Sequence, residues 1–113
     1  MSRITTHVLD TSLGRPAAGV PVKLEMENAG GGWKELSRGA TDGDGRHAML
    51  SPPDILAEGT YRLTFDAHTY FESRRVEAFY PQVMVIFQVR DSKQNYHVPL
   101  LLAPYGYSTY RGS

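Results

Sequence analysis

Residues 20–27 read VPVKLEME, with an apolar side chain at every even position and, from Lys23 onward, a charged side chain at every odd position. Because successive side chains of a β-strand point to opposite faces, this alternation is typical of a strand that buries one face. Residues 61–66, YRLTFD, repeat the pattern. The chain is therefore expected to be a β protein whose sheets each cover one side of a common core.

Six further segments have strand character and are separated by turns rich in Gly, Pro and Asp. They are residues 4–10, 33–40, 46–50, 83–90, 96–103 and 105–110. Residues 28–32, NAGGG, are typical of a hairpin loop. The segment that can form a helix is short, around residues 67–73, between two strands. We predict one domain over residues 1–113, an all-β, eight-stranded antiparallel β-sandwich with one short helix.

Charge and composition exclude several classes of function. The chain has 113 residues with 12 Lys plus Arg and 12 Asp plus Glu, so its formal net charge is zero. No long-range field then attracts nucleic acid or an acidic membrane surface, and neither is expected as a partner. The absence of cysteine excludes a disulfide framework, a thiolate metal site and a thiol nucleophile.

Hydropathy gives an expectation about the compartment. No segment approaches the roughly 18 consecutive apolar residues of a membrane helix. The first ten residues, MSRITTHVLD, contain no apolar run typical of a signal peptide. A cytoplasmic location is therefore expected, and a periplasmic one remains open if a leader has been removed.

Strand parity places two histidines on an outer face. In residues 96–102, YHVPLLL, the even positions are apolar and are expected to face the core, so His97 faces away. In the first strand Ile4 and Val8 make the better core pair, which puts His7 on the outer face as well. Two isolated surface histidines without a role would give the same pattern.

The outer faces are not plainly polar. Leu9, Pro99 and Leu101 share a face with the two histidines, which indicates a covered surface such as a subunit interface or a ligand cleft. In residues 83–90 the odd positions supply a core face, yet Met84 and Ile86 on the other side are apolar. We interpret that second surface as the contact with another subunit.

Residues 41–46, TDGDGR, resemble the start of a calcium loop. An EF-hand needs a glutamate at its twelfth position, and counting from Asp42 that position is Pro53, so calcium is excluded. The segment is instead typical of a tight turn that holds Arg46 at the start of the next strand. The four histidines have no short metal-ligand spacing, and no metal site is predicted.

Together these motifs carry a family resemblance. Residues 6–11 (THVLDT), 41–46 (TDGDGR), 96–102 (YHVPLLL) and 110–113 (YRGS) resemble the transthyretin-like 5-hydroxyisourate hydrolases over essentially the whole chain. The terminal YRGS is the most specific element, because it separates these hydrolases from transthyretin, the hormone carrier of the same fold. Ala103 stands where serine is more common in the family, at a position that carries no expected site residue.

The resemblance implies a quaternary structure and a site. Family members are eight-stranded sandwiches that assemble as homotetramers, dimers of dimers, with active sites on the outer face of one sheet where two dimers meet. Carried over residue by residue, the catalytic positions fall on His7, Arg46 and His97. The substrate-binding positions fall on His7, Arg46, Tyr110, Arg111, Gly112 and Ser113. No metal and no cofactor is implied.

The resemblance also implies a reaction, the hydrolytic opening of 5-hydroxyisourate to 2-oxo-4-hydroxy-4-carboxy-5-ureidoimidazoline in urate degradation. Such a reaction needs an activated water, a polarised carbonyl and a planar substrate held still. An imidazole is a suitable base near neutral pH, and either His7 or His97 fits that role. Arg46 is expected to bind substrate oxygens, and the terminal residues, with a free carboxylate at Ser113, to position the ligand.

Two other classes of function are compatible with the architecture. A non-catalytic carrier of the same fold would bind a small aromatic ligand in a channel between subunits. A structural β-sandwich module of a larger secreted protein would be monomeric. The paired outer-face histidines and the terminal YRGS favour the hydrolase over both.

Overall fold

The computed structural model describes residues 3–50 and 56–113, with Leu50 described by its backbone alone. It contains nine strands and one helix in this part of the chain. In chain order they are β1 (Ile4–Asp10), β2 (Arg15–Pro16), β3 (Pro21–Glu27), β4 (Trp33–Ala40), β5 (Arg46–Leu50), β6 (Gly59–Phe65), α1 (Ala67–Ser73), β7 (Val83–Val89), β8 (Tyr96–Ala103) and β9 (Gly106–Thr109).

Two sheets enclose the core. The first has the order β2-β1-β8-β9, and β5 pairs with β1 on the same edge as β2; the second has the order β4-β3-β6-β7. The predicted β-sandwich with one short helix is confirmed. Within the part of the chain that the structure describes, the first sheet ends at β9 on one side and at β2 and β5 on the other, and the second sheet ends at β4 and β7.

Two features differ from the predicted pairing. β1 and β8 run parallel, with Ile4 opposite Tyr96 and Asp10 opposite Leu102, whereas the other described pairs are antiparallel. The two-residue β2 is a ninth strand beyond the eight expected, and it pairs Arg15 with Asp10. Strand periodicity shows which face of the sheet a residue occupies, but it does not show the direction of the neighbouring strand. A strand of only two residues is also too short to show a period.

The burial of side chains follows the predicted parity. Ile4, Val8 and Leu100 are fully buried, while His7 and His97 on the same strands are half-buried on the outer face. In the second sheet Leu24 and Leu63 are fully buried and face the same core. The apolar alternation therefore places both histidines outside the core, which makes them available for chemistry.

Helix α1 is fixed to the first sheet by a buried hydrogen bond. Tyr70 donates its hydroxyl to Asp10 Oδ2 at 2.7 Å. Burial opposes the charge of Asp10, but hydrogen bonds from Ser12 and Tyr70 hold the pKa of its carboxyl below the usual value. Burial and the Asp10 carboxylate raise the pKa of Tyr70 to about 12. Within the described residues, neither this helix nor any other segment forms an apolar helix long enough to cross a membrane.

The outer face of the second sheet carries a covered ion pair. Arg62 donates from Nε and Nη2 to Glu25 Oε1 at 2.9 and 2.7 Å, and its guanidinium stacks 4.3 Å from the ring centroid of Trp33. Glu25 was expected on a solvated face, yet it is only 8% exposed. The stacked guanidinium and a bulge between Leu24 and Glu25 explain this burial.

Replacing Arg62 by Ala is expected to destabilise the fold by about 2 kcal/mol, because it removes both short hydrogen bonds of the Glu25 carboxylate and leaves it only the longer contact with Lys23 Nζ at 3.9 Å. Thermal unfolding of the purified variant measures this change. Arg38→Ala is the matched control, since Arg38 pairs with Glu35 on the exposed surface of the same sheet and its loss should leave the melting temperature unchanged. Equal melting temperatures for both variants would contradict the assigned role of Arg62.

Candidate active site

His97 is held by two neighbours on the outer face of the first sheet. Thr5 lies opposite His97 in the parallel pair of β1 and β8, and Thr5 Oγ1 is 2.8 Å from His97 Nδ1. Gly112 donates its backbone N–H to the His97 carbonyl at 2.8 Å, so the terminal segment is attached to β8 beside the imidazole. The ring therefore has a defined position in the sheet.

The absence of a side chain at Gly112 is required by that packing. A Cβ at this position would lie 2.6 Å from His97 Cδ2 and 3.2 Å from Pro99 Cγ. Contacts under about 3 Å between such atoms force a displacement, and here the atom displaced belongs to the imidazole. The terminal glycine thus lets the chain cross directly over the edge of the histidine ring.

Arg46 is delivered by the turn before β5. The Asp42 carboxylate accepts hydrogen bonds from the backbone N–H groups of Arg46 and Asp44, each at 2.9 Å. These two bonds lower the pKa of Asp42. Gly45 has a φ of +76°, and a Cβ there would clash with the carbonyl oxygen of Val8. The Gly45 carbonyl accepts a hydrogen bond from the backbone N–H of Val8 at 2.7 Å, which attaches the turn to β1. The predicted role of this turn in placing Arg46 agrees with these contacts.

His7 lies in the middle strand of the site. It pairs with Arg46 on β5 on one side and with Pro99 on β8 on the other. Both histidines and the arginine are therefore carried by three neighbouring strands of one sheet. This arrangement brings together residues that are far apart in the sequence.

A cleft of about 560 Å³ opens over these strands. It contains two of the predicted catalytic residues, His97 and Arg46, together with Ser113 from the terminal segment. The complete lining is Arg3, Thr5, Thr6, Asp42, Arg46, His47, Ala48, Asn95, His97 and Ser113. A basic and polar lining of this kind suits a small, planar, oxygen-rich ligand better than an apolar one.

The pKa of His97 lies below its usual value of 6.5. Burial is the main cause, and the positive charges of Arg46 and His7 act in the same direction. The imidazole is consequently neutral at physiological pH, with a lone pair available to accept a proton.

The sequence profile of the HIUase/Transthyretin family matches residues 4–112. The chain belongs to this family. It is 46% identical over 110 residues to the 5-hydroxyisourate hydrolase of Salmonella typhimurium, covering 97% of this chain and 80% of that protein. The predicted family resemblance is confirmed.

Solved structures of the family have the same fold. The Klebsiella pneumoniae 5-hydroxyisourate hydrolase superposes with a TM-score of 0.87 at 36% identity, over 100% of both chains. Sea bream transthyretin in complex with thyroxine superposes with a TM-score of 0.91 at 29% identity, over 97% of this chain and 94% of that one. The same fold thus occurs in a 5-hydroxyisourate hydrolase and in a transthyretin that binds thyroxine.

Four of the residues expected from the family motif, His7, Tyr110, Arg111 and Gly112, are not among the residues that line the cleft. Tyr110 and Arg111 line a second groove of about 230 Å³ between β7, β8 and β9. Arg111 donates to Gln94 Oε1 at 2.8 Å and to the Asn95 carbonyl at 3.3 Å, and stacks 4.5 Å from the ring centroid of Tyr96. Within one subunit the cleft thus contains Ser113 but not Tyr110 or Arg111, whose substrate contacts stay a prediction.

The cleft also contains residues that the sequence motifs did not indicate, among them Arg3, Thr5, His47 and Asn95. Thr5 could have been found, because it shares the parity of His7 on the same strand. Asn95 gives no such signal, since it precedes β8 in a loop. In residues 3–50 and 56–113, no three His, Asp or Glu side chains are grouped so that they could bind a metal ion.

Proposed function

We propose that this chain hydrolyses 5-hydroxyisourate to 2-oxo-4-hydroxy-4-carboxy-5-ureidoimidazoline. The observation that carries the proposal is the joint presence of a neutral imidazole, His97, and a fixed guanidinium, Arg46, in one cleft of a family member. Relatives with 46% identity over nearly the whole chain are named for this activity. Water and side chains supply the chemistry in this proposal, which requires no cofactor.

In the proposed reaction His97 takes a proton from water as the water oxygen attacks a ring carbonyl carbon. Arg46 donates N–H groups to the carbonyl oxygen and stabilises the negative charge that develops there. The C–N bond of the ring amide then breaks, the leaving nitrogen receives the proton from the imidazolium, and the carbonyl carbon becomes a carboxylic acid that releases its remaining proton to solvent as a carboxylate. His97 is thereby returned to its neutral form.

The remaining motif residues have positioning roles in this proposal. His7 lies beside Arg46 in the strand register and is suited to bind substrate or to orient the arginine. Ser113 lines the cleft, and its proposed role is to contact the ligand. Arg111 is bonded to Gln94, so its contribution within one subunit is to hold the terminal segment against β8.

We also propose that the protein assembles as a homotetramer, a dimer of dimers. Met84 and Ile86 on the second sheet are 45% and 59% exposed, and Phe79 and Tyr105 are each 68% exposed. Exposed apolar side chains in these numbers are typical of a surface that a partner covers. Mass in solution by light scattering tests the assembly, and a monomer would contradict it.

The cytoplasmic location stays a prediction, testable by cell fractionation.

The hydrolase proposal is tested by the ultraviolet decay of 5-hydroxyisourate, freshly made from urate with urate oxidase. The protein is expected to accelerate the decay, and a version lacking residues 110–113 that remains folded is expected to lose the acceleration. A folded full-length protein that leaves the spontaneous rate unchanged would instead favour a ligand carrier.

Replacing Gly112 by Ala is expected to lower kcat/KM about a hundredfold, because a displacement of about 1 Å of a reacting group costs that much. The added methyl group forces the His97 ring out of its position. Gly106→Ala is the matched control, because a Cβ there meets nothing within 4 Å and Gly106 begins β9, the strand that leads into the terminal segment. Equal kcat/KM values for the two variants would show that Gly112 does not set the position of the ring.

A further inference from the structure

We propose that Thr5 is a positioning residue for His97, accepting a hydrogen bond from the Nδ1–H of the ring so that the unprotonated Nε2 faces the cleft. This inference rests on the proposed function, since it names the atom through which His97 removes a proton from water. Thr5 does not itself touch the reacting atoms in this assignment. It acts through the imidazole.

The strand pairing fixes this contact. Thr5 and His97 are direct partners in the parallel ladder of β1 and β8, and both are half-buried on the outer face. Thr5 Oγ1 lies 2.8 Å from His97 Nδ1, within normal hydrogen-bond distance. A β-branched threonine has a restricted χ1 angle, so its hydroxyl offers a well-defined partner.

The other contacts of the ring leave one nitrogen for the substrate. The Cδ2 edge of His97 is covered by Gly112, and Nδ1 is occupied by Thr5. Of the two ring nitrogens, Nε2 is the one without a hydrogen bond to a described residue. A water molecule to be activated in the cleft must therefore be deprotonated by Nε2, which requires the neutral tautomer with its proton on Nδ1.

The charges around the ring favour its neutral form. The titratable and charged groups that share the cleft with His97 are Arg3, Asp42, Arg46, His47 and the terminal residue Ser113, and His7 is close by on β1. The positive charges of Arg46 and His7 disfavour the imidazolium. The ring therefore stays neutral, and with Thr5 accepting from the Nδ1–H its lone pair lies on Nε2.

The test compares Thr5→Val, which removes the hydroxyl at nearly constant volume, with Thr5→Ser, which retains it. Thr11→Val is the matched control, because the Thr11 hydroxyl donates to the Leu102 carbonyl at 3.3 Å and joins the same two strands outside the cleft. Two readouts are used on the full-length protein. Nitrogen-15 NMR of the His97 ring reports the tautomer and pKa without any substrate, and the pH dependence of kcat and KM reports the reaction.

In the unmodified protein NMR is expected to show the proton on Nδ1. Thr5→Val is expected to lower kcat about tenfold, as loss of a partner that orients an active imidazole does, with little change in KM. It should also lower the pKa of His97 further, because the hydroxyl oxygen stabilises the charged ring more than the neutral one. Thr5→Ser should restore both values, and Thr11→Val should change neither.

Three results would overturn the inference. These are a proton on Nε2 in the unmodified protein, a rise in the His97 pKa in Thr5→Val, and equal kcat values for Thr5→Val and Thr11→Val. If the protein does not hydrolyse 5-hydroxyisourate while NMR still shows the proton on Nδ1, the positioning contact holds and the proposed function fails. The two proposals are thereby tested separately.

Discussion

Replacing His97 by Ala is expected to lower kcat for 5-hydroxyisourate by about two to four orders of magnitude, the usual contribution of a general base. The fold should be nearly unchanged, because His97 is half-buried on the outer face and not part of the core. Steady-state kinetics and thermal unfolding of the same preparation measure the two effects. Unfolding of the variant with normal activity per folded molecule would make His97 structural.

The pH dependence of kcat/KM distinguishes His97 from His7. The sequence allowed either imidazole to be the general base. His7→Ala is also expected to lower kcat, by about a hundredfold, because misplacing the substrate or the Arg46 fork by about 1 Å costs that much. In this variant kcat/KM should still fall at low pH, which is the acid limb of its pH profile. That limb should lie at higher pH than in the unmodified protein, because a positive charge near His97 is lost. His97→Ala should lose that limb. Loss of the limb in His7→Ala alone would assign the base to His7.

The sandwich and the outer-face positions of His7 and His97 could be predicted from sequence because alternation reports the face of each residue. Ile4 and Val8 were expected inside and His7 outside, and the structure confirms all three. Helix α1 was expected at residues 67–73 and occupies Ala67–Ser73. These predictions depend only on local periodicity, which a single chain displays without reference to its neighbours in space.

The contacts between distant segments could not be predicted from periodicity. The parallel pairing of β1 with β8 determines that Thr5 faces His97, and no local pattern encodes that direction. The side-chain direction of Arg111 could not be predicted from a local pattern either. Its bond to Gln94 depends on the path of a loop, so the motif alone did not show that it lies outside the cleft.

The buried environment of Glu25 also depends on tertiary structure. The alternation of residues 20–27 assigns Glu25 to the outer face, where a charge is normally solvated. Arg62 comes from another strand and bonds to Glu25, and its guanidinium is in turn stacked on Trp33. A sequence pattern gives the face of a residue, whereas its exposure is decided by what the neighbouring strands place beside it.

Replacing Arg46 by Ala is expected to lower kcat/KM by about two to three orders of magnitude, as the loss of a group that stabilises a developing oxyanion does. A second effect concerns pH. The pKa of His97 is lowered by burial first and by the Arg46 charge second, so the acid limb of kcat/KM in the unmodified protein should lie below pH 6.5. Removing the positive charge makes protonation of His97 easier, and the limb should move up but stay below 6.5, because burial persists.

Arg46→Lys separates the two roles of this side chain. Lysine keeps the positive charge near His97 but lacks the planar fork that can hold two substrate oxygens. The acid limb should therefore stay where it is in the unmodified protein, while kcat/KM still falls. Kinetics from pH 5 to 8 on the Ala and Lys variants measure both quantities on one scale. If the limb stays in place in Arg46→Ala, the guanidinium is too far from His97 to influence it, and Arg46 then acts on the substrate alone.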